Sequence, residues 1–126
     1  MVAWPSNLSP IEASTLVCAP LTAWNTLYGL HAVRAGDRVL TQGSGGVSMA
    51  AIQFARGAGA CVIATTSSDE KAERLTELGA HHVINYIEDE DWVAAAKQLS
   101  PGVWARNMSL RWEDQVRLLS QSKRWQ

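Results

Sequence analysis

From Arg38 to Tyr86 the chain alternates short β-prone apolar runs with glycine- or serine-marked turns and helix-forming stretches. Arg38 to Thr41 predicts a first strand, and Val47 to Arg56 a helix whose polar surface is little more than Ser48, Gln53 and Arg56, so it is expected to be covered on more than one side. Gly57-Ala58-Gly59-Ala60 ends that helix. Cys61 to Thr65 is a continuous apolar, β-branched run of the kind buried on both faces of a parallel sheet. Ser67 with Glu70 forms a capping-box pattern for a helix from Ser68 to Leu78, with Ala72, Leu75 and Leu78 on one face and Gly79 as its stop. His82 to Tyr86 is the third strand, and Asp91 to Leu99 a further helix behind the acidic stretch Glu88 to Asp91.

Upstream, Ser9-Pro10-Ile11-Glu12 carries the cap, the first-turn proline and the first-turn acid of a helix that should end before Pro20. A second helix is expected over Leu21 to Leu30, and Arg34-Ala35-Gly36-Asp37 is a turn into the first strand. The order β-α-β-α-β is one half of a doubly wound α/β sheet.

A chain of 126 residues with 47% hydrophobic content has room for one domain and a modest core. A net charge of −1, with both signs interspersed, leaves no electrostatic footprint for nucleic acid or an anionic membrane, so neither is expected as a partner. The start Met1 to Ser6 lacks a secretory signal's basic and apolar regions, and no apolar run is long enough to cross a bilayer; a cytoplasmic location is the expectation. Cys18 and Cys61 sit among apolar neighbours and read as buried reduced thiols. His81 and His82 would point to opposite faces of a strand, and His31 has no acidic or thiol companion nearby, so no metal site is assigned.

Chemistry concentrates in the turn Gly43-Ser44-Gly45-Gly46-Val47 between strand and helix. A helix start leaves its first N–H groups without partners and carries partial positive charge, so a diphosphate can lie against it if nothing bulky intervenes. Gly43 permits the sharp turn, and Gly45 lets the backbone approach phosphate. The third glycine of a G-x-G-x-x-G turn would stand where this chain has Ser48, the next smallest option.

Several motifs stand in register around that turn: Leu21-Thr22-Ala23-Trp24-Asn25-Thr26-Leu27, Gly36-Asp37-Arg38-Val39-Leu40, Phe54-Ala55-Arg56, Gly59-Ala60, and Leu78-Gly79-Ala80-His81-His82-Val83-Ile84-Asn85-Tyr86. Over about Ile11 to Leu99 the chain resembles the medium-chain dehydrogenase/reductase superfamily, within it the zinc-independent quinone oxidoreductases and zinc-type alcohol dehydrogenase-like proteins. The resemblance implies a Rossmann-like parallel sheet, incomplete and preceded by hinge helices. It divides the chain into hinge helices (1–36), a partial dinucleotide-binding domain (37–100) and a tail outside the pattern (101–126). Family members carry substrate and any catalytic zinc mostly on an N-terminal barrel with no counterpart here, so no catalytic residue, no zinc and no appreciable turnover are expected of this chain alone.

Strands that bind NAD end in an Asp or Glu that holds the ribose hydroxyls and repels a 2′-phosphate. Here the second strand runs into Thr66-Ser67-Ser68, and Lys71 one turn on could supply countercharge, which favours NADP(H) over NAD(H). The resemblance matches Ser67, Lys71 and Tyr86 to the family's 2′-phosphate contacts, with Ser68 beside them, and Thr22 to the threonine by the nicotinamide ring. The bland readings are a helix cap for Ser67, a solvated charge for Lys71, a strand-end anchor for Tyr86 and an intrahelical hydrogen bond for Thr22. Asp69 is the awkward residue, because a carboxylate near the phosphate would weaken the site unless it faces away.

From about Val103 the tail departs from the family, and three of the six tryptophans fall there. Permitted codon choices in a displaced frame respell the tail as a family-like strand, Gly-Gly turn and helix, so a frame displacement between Pro101 and Trp104 is the expectation; the alternative is a native, divergent tail forming an amphipathic helix with Trp112, Val116 and Leu119 on one face. Without a fourth strand, the strand at Arg38 to Gln42 would be an open edge that invites self-association. The functional expectation is thus a partial cofactor domain of an NADP(H)-dependent oxidoreductase acting on a quinone, enone or alcohol/carbonyl substrate. The alternatives are a non-catalytic nucleotide-binding or association module, or an inert truncated product.

Overall fold

The structure, a computed structural model, describes residues 3, 5–29 and 32–99. His31 and the tail from 100 onward, with the frame-displacement expectation that rests on it, lie outside the described residues.

Helix α1 (Pro10–Ser14) opens on a complete capping box. The Glu12 N–H donates to Ser9 Oγ at 3.3 Å, and the Ser9 N–H donates back to Glu12 Oε2 at 2.8 Å. The expected end before Pro20 is a 3-10 turn, Thr15–Val17, and helix α2 (Ala19–Tyr28) then takes Pro20 into its first turn. Proline is harmless there because that N–H has no intrahelical acceptor, so the helix begins earlier than Leu21. Ala23 and Leu27, one turn apart, are buried against α3 (Gly46–Gly57). The Trp24 ring meets Phe54 of α3 edge-on, with centroids 5.4 Å apart.

Strands β1 (Arg38–Gln42), β2 (Cys61–Thr66) and β3 (His82–Asn85) form a three-stranded parallel sheet in the order β1-β2-β3. Val39 pairs with Val62, Leu40 with Ile63 and Thr65 with Ile84. Side chains alternate along each strand, so the sheet sorts them into two layers. One holds Val39, Val62 and Ala64 with Ala51, Ala55 and Ile52 of α3 and Leu75 of α4 (Asp69–Glu77). The other holds Leu40, Ile63 and Ile84 under Trp92, Ala95 and Ala96 of α5 (Trp92–Gln98). Helices on both faces explain why Val62, Ile63 and Ala64 read as one unbroken apolar run. The alanines of α3 let that helix lie close to the strands, and its two buried sides face the sheet and α2, as its sparse polar surface predicts.

Two expectations are corrected. The cap of α4 is Ser68, not Ser67, and it makes no side-chain cap bond, so the Ser67–Glu70 capping box does not form. The chain stays extended through Ser68 (φ −155°, ψ 152°), which moves the helix start one residue on. Cys18 is exposed and Cys61 half-buried, both as free thiols. Cys18 lies at the junction between the 3-10 turn and α2.

Candidate functional site

The sequence-selected residues of the glycine and serine turns gather at the C-terminal ends of the strands. Gln42 and Thr65 are register partners, so the turn after β1 and the turn after β2 leave the sheet side by side, about 4.8 Å apart by strand spacing. The Gly43 N–H donates to the Thr65 carbonyl at 2.9 Å and fastens the two.

Gly43 has φ +78°, a left-handed conformation that side chains rarely adopt, and this turns the chain out of β1. Gly45 is the cap of α3, extended at φ −76° and ψ 170°, and offers no side chain to the helix start. The first N–H groups of α3, on Gly46, Val47 and Ser48, have no intrahelical acceptor by construction, so they stay available as donors. A Cβ placed on Gly45 would meet no atom within 4 Å, which makes the mouth of the turn open space. A Cβ on Gly46 would stand 3.3 Å from that of Ala19, so the start of α2 closes the other side. Uncapped donors facing open space fit an anionic phosphate.

Ser48 occupies the third-glycine position almost fully buried and donates from Oγ to the Gln42 carbonyl at 3.0 Å. Serine therefore preserves the close approach of helix to strand and adds a bond. Thr22, one turn beyond Ala19, is half-buried and donates from Oγ1 to the Cys18 carbonyl at 2.9 Å. Its proton is used inside the helix, while its oxygen lone pairs can still accept.

The second locus is the end of β2. Ser67 and Ser68 are half-buried, Lys71 is exposed on the first turns of α4, and Tyr86 is 40% exposed just beyond β3. The Tyr86 N–H donates to the Thr66 carbonyl at 3.0 Å, which brings the tyrosine's backbone beside the serine turn. Asp69 is engaged: Asn85 Nδ2 donates to Asp69 Oδ1 at 2.9 Å, and Asn85 Oδ1 accepts from the Ile87 N–H at 3.1 Å. Sequence reasoning missed Asn85 as more than a strand residue. Only the pairing of β2 with β3, which sets it opposite Thr66, brings it to the start of α4.

Two buried hydroxyls, Thr41 Oγ1 and Thr66 Oγ1, lack a hydrogen-bond partner and lie at the same strand ends. Among the described residues no three His, Cys, Asp or Glu side chains converge as metal ligands, and no helix is long and apolar enough to cross a membrane.

The fold and turn define the first half of a Rossmann-like nucleotide-binding sheet. A family model described as zinc-binding dehydrogenase matches residues 46–105. A zinc-type alcohol dehydrogenase-like protein of Schizosaccharomyces pombe is 50% identical over 101 residues, covering 79% of this chain and 29% of that protein. The structure of an NAD-dependent alcohol dehydrogenase is similar with a TM-score of 0.69 at 43% identity, covering 80% of this chain and 29% of that one. The Escherichia coli quinone oxidoreductase complexed with NADPH is similar with a TM-score of 0.73 at 29% identity, covering 83% and 32%. The chain belongs to the medium-chain dehydrogenase/reductase superfamily and carries part of its nucleotide-binding domain. It spans 29% of the length of the fission-yeast relative.

Proposed function

We propose that this chain is the cofactor-binding part of an NADP(H)-dependent oxidoreductase. The diphosphate would lie against Gly43, Ser44, Gly45, Gly46 and Val47, and the 2′-phosphate among Ser67, Ser68, Lys71 and Tyr86, with Thr22 toward the nicotinamide. The observation that carries the reading is the uncapped start of α3 behind open space at Gly45. The preference for the 2′-phosphate is supported by the end of β2, where half-buried serines stand and the first carboxylate, Asp69, is engaged by Asn85. The similar structures include an NAD-dependent enzyme as well as the NADPH complex, so kinship does not choose between the cofactors and the support for NADP(H) comes from this turn.

When bound, the cofactor supplies a hydride at the nicotinamide ring. The chain's own residues would bind and orient it, and the partner in the reaction would be a quinone, an enone or an alcohol/carbonyl pair. We expect no appreciable turnover from the chain by itself. Calorimetric titration with NADPH and NADH tests the reading. Saturable NADPH binding, tighter than NADH, is the expected result; no binding, or equal affinity for both, defeats it.

A second reading, a module that associates through its sheet, is favoured by β1, which has a strand neighbour on one side only among the described residues. Sedimentation of the same samples discriminates: a monomer across the concentration range argues against association.

A further inference from the structure

We infer that Asn85 is a specificity-determining positioning residue, which holds the Asp69 carboxylate away from the space a 2′-phosphate would take. This rests on the cofactor reading above and assigns a residue to its selectivity.

Asn85 is the last residue of β3, opposite Thr66 at the last position of β2. Its amide is used at both ends: Nδ2 donates to Asp69 Oδ1 at 2.9 Å, and Oδ1 accepts from the Ile87 N–H at 3.1 Å. A flipped amide would set oxygen against carboxylate oxygen and nitrogen against an N–H, so the two bonds together fix one orientation.

Asp69 stands two residues after Ser67 and two before Lys71, as the first residue of α4. A carboxylate free to turn over the serine turn would repel a phosphate there across a few ångströms, well inside the screening distance of about 8 Å in physiological salt. Asn85 draws it toward the β3 side instead. A neutral amide does this without adding a positive charge that would itself compete for phosphate. The same side chain braces the turn that carries Tyr86, since its bond to the Ile87 N–H spans the tyrosine.

The test uses the full chain and four forms of it: wild type, Asn85→Ala, Asp69→Asn and the double substitution. Each is titrated calorimetrically with NADPH and with NADH, and each is melted. Asn85→Ala is expected to lower the NADPH-to-NADH affinity ratio about two- to fivefold, the range an exposed charge contributes. Asp69→Asn alone is expected to leave the ratio unchanged, because its charge is already held aside and its Oδ1 still accepts from Asn85. The double substitution restores the ratio, which a purely structural staple would not do.

An unchanged ratio in Asn85→Ala, or no rescue in the double form, overturns the inference while a wild-type preference for NADPH leaves the cofactor reading standing. A wild type without that preference defeats the reading first, and this inference with it. If Asn85→Ala fails to fold, Asp69→Asn decides: a constant ratio supports the assignment, and a rise of twofold or more overturns it.

Discussion

Ser48 Oγ reaches back six residues to the carbonyl of Gln42 at 3.0 Å, so the first turn of α3 is bonded to the last residue of β1. The site is tight, with Ser48 only 4% exposed. Ser48→Ala is expected to cost about 0.5–1.5 kcal/mol, the net worth of such a bond. Ser48→Leu forces the helix off the strand and is expected to cost about 1–3 kcal/mol by overpacking. Urea denaturation followed by circular dichroism gives both numbers, and a leucine variant as stable as wild type would show that the contact is not tight.

The two glycines of the turn should separate stability from binding. Gly45 has ordinary backbone angles and open space where a Cβ would stand, so Gly45→Ala is expected to change stability by no more than about 0.5 kcal/mol. The added methyl nevertheless occupies the approach to the helix N–H groups, and NADPH affinity is expected to fall at least about tenfold, the effect of losing one charge-assisted bond. Gly43→Ala meets no atom either, but its φ of +78° is strained for alanine and should cost about 1–2 kcal/mol. Melting curves beside NADPH titrations read the contrast; equal binding losses without any stability difference would refute it.

Strands and helices were legible because their determinants are local. The runs at Val39 to Leu40, Val62 to Ala64 and Val83 to Ile84 carry β-branched residues between glycine stops, and Ser9 with Glu12 spells a cap that forms as written. The failure at Ser67 is instructive: two adjacent serines offer two caps to the same helix, and pattern alone does not choose between them. The backbone makes the choice: it stays extended through Ser68, two residues past the end of β2, and the helix starts at Asp69. The engagement of Asp69 by Asn85 was illegible for a related reason, since it joins residues 16 apart through strand pairing. Exposure of Cys18 escaped because neighbouring apolar residues such as Leu16 and Val17 are themselves exposed.

Lys71 is exposed, and the capping role that would have occupied the Ser67 hydroxyl is absent. A phosphate contact is thus a cleaner expectation for these two than the sequence permitted. Lys71→Ala is expected to weaken NADPH binding about tenfold, the size of a lost charge-assisted bond, and to leave NADH binding and the melting temperature unchanged. Lys71→Arg should retain most of the affinity because it retains the charge. Equal losses for both cofactors would place Lys71 outside any 2′-phosphate contact.

Glu12 supplies a prediction about pH. The Ser9 N–H and hydroxyl both donate to its carboxylate, which holds the group below its ordinary value. A carboxyl whose folded pKa is lowered binds its proton more readily in the unfolded chain. Its contribution to stability is therefore present above the ordinary glutamate value and is lost as pH falls through the folded one. The start of α1 should fray as pH falls below the ordinary glutamate range and through the lower folded value. A carbon-detected NMR titration of Glu12 measures this directly, with Ser9→Ala expected to return the midpoint only part of the way to the ordinary range, because alanine keeps the backbone N–H that is the larger cause. A midpoint that does not move with Ser9→Ala would mean that the Ser9 hydroxyl does not hold the carboxylate in solution.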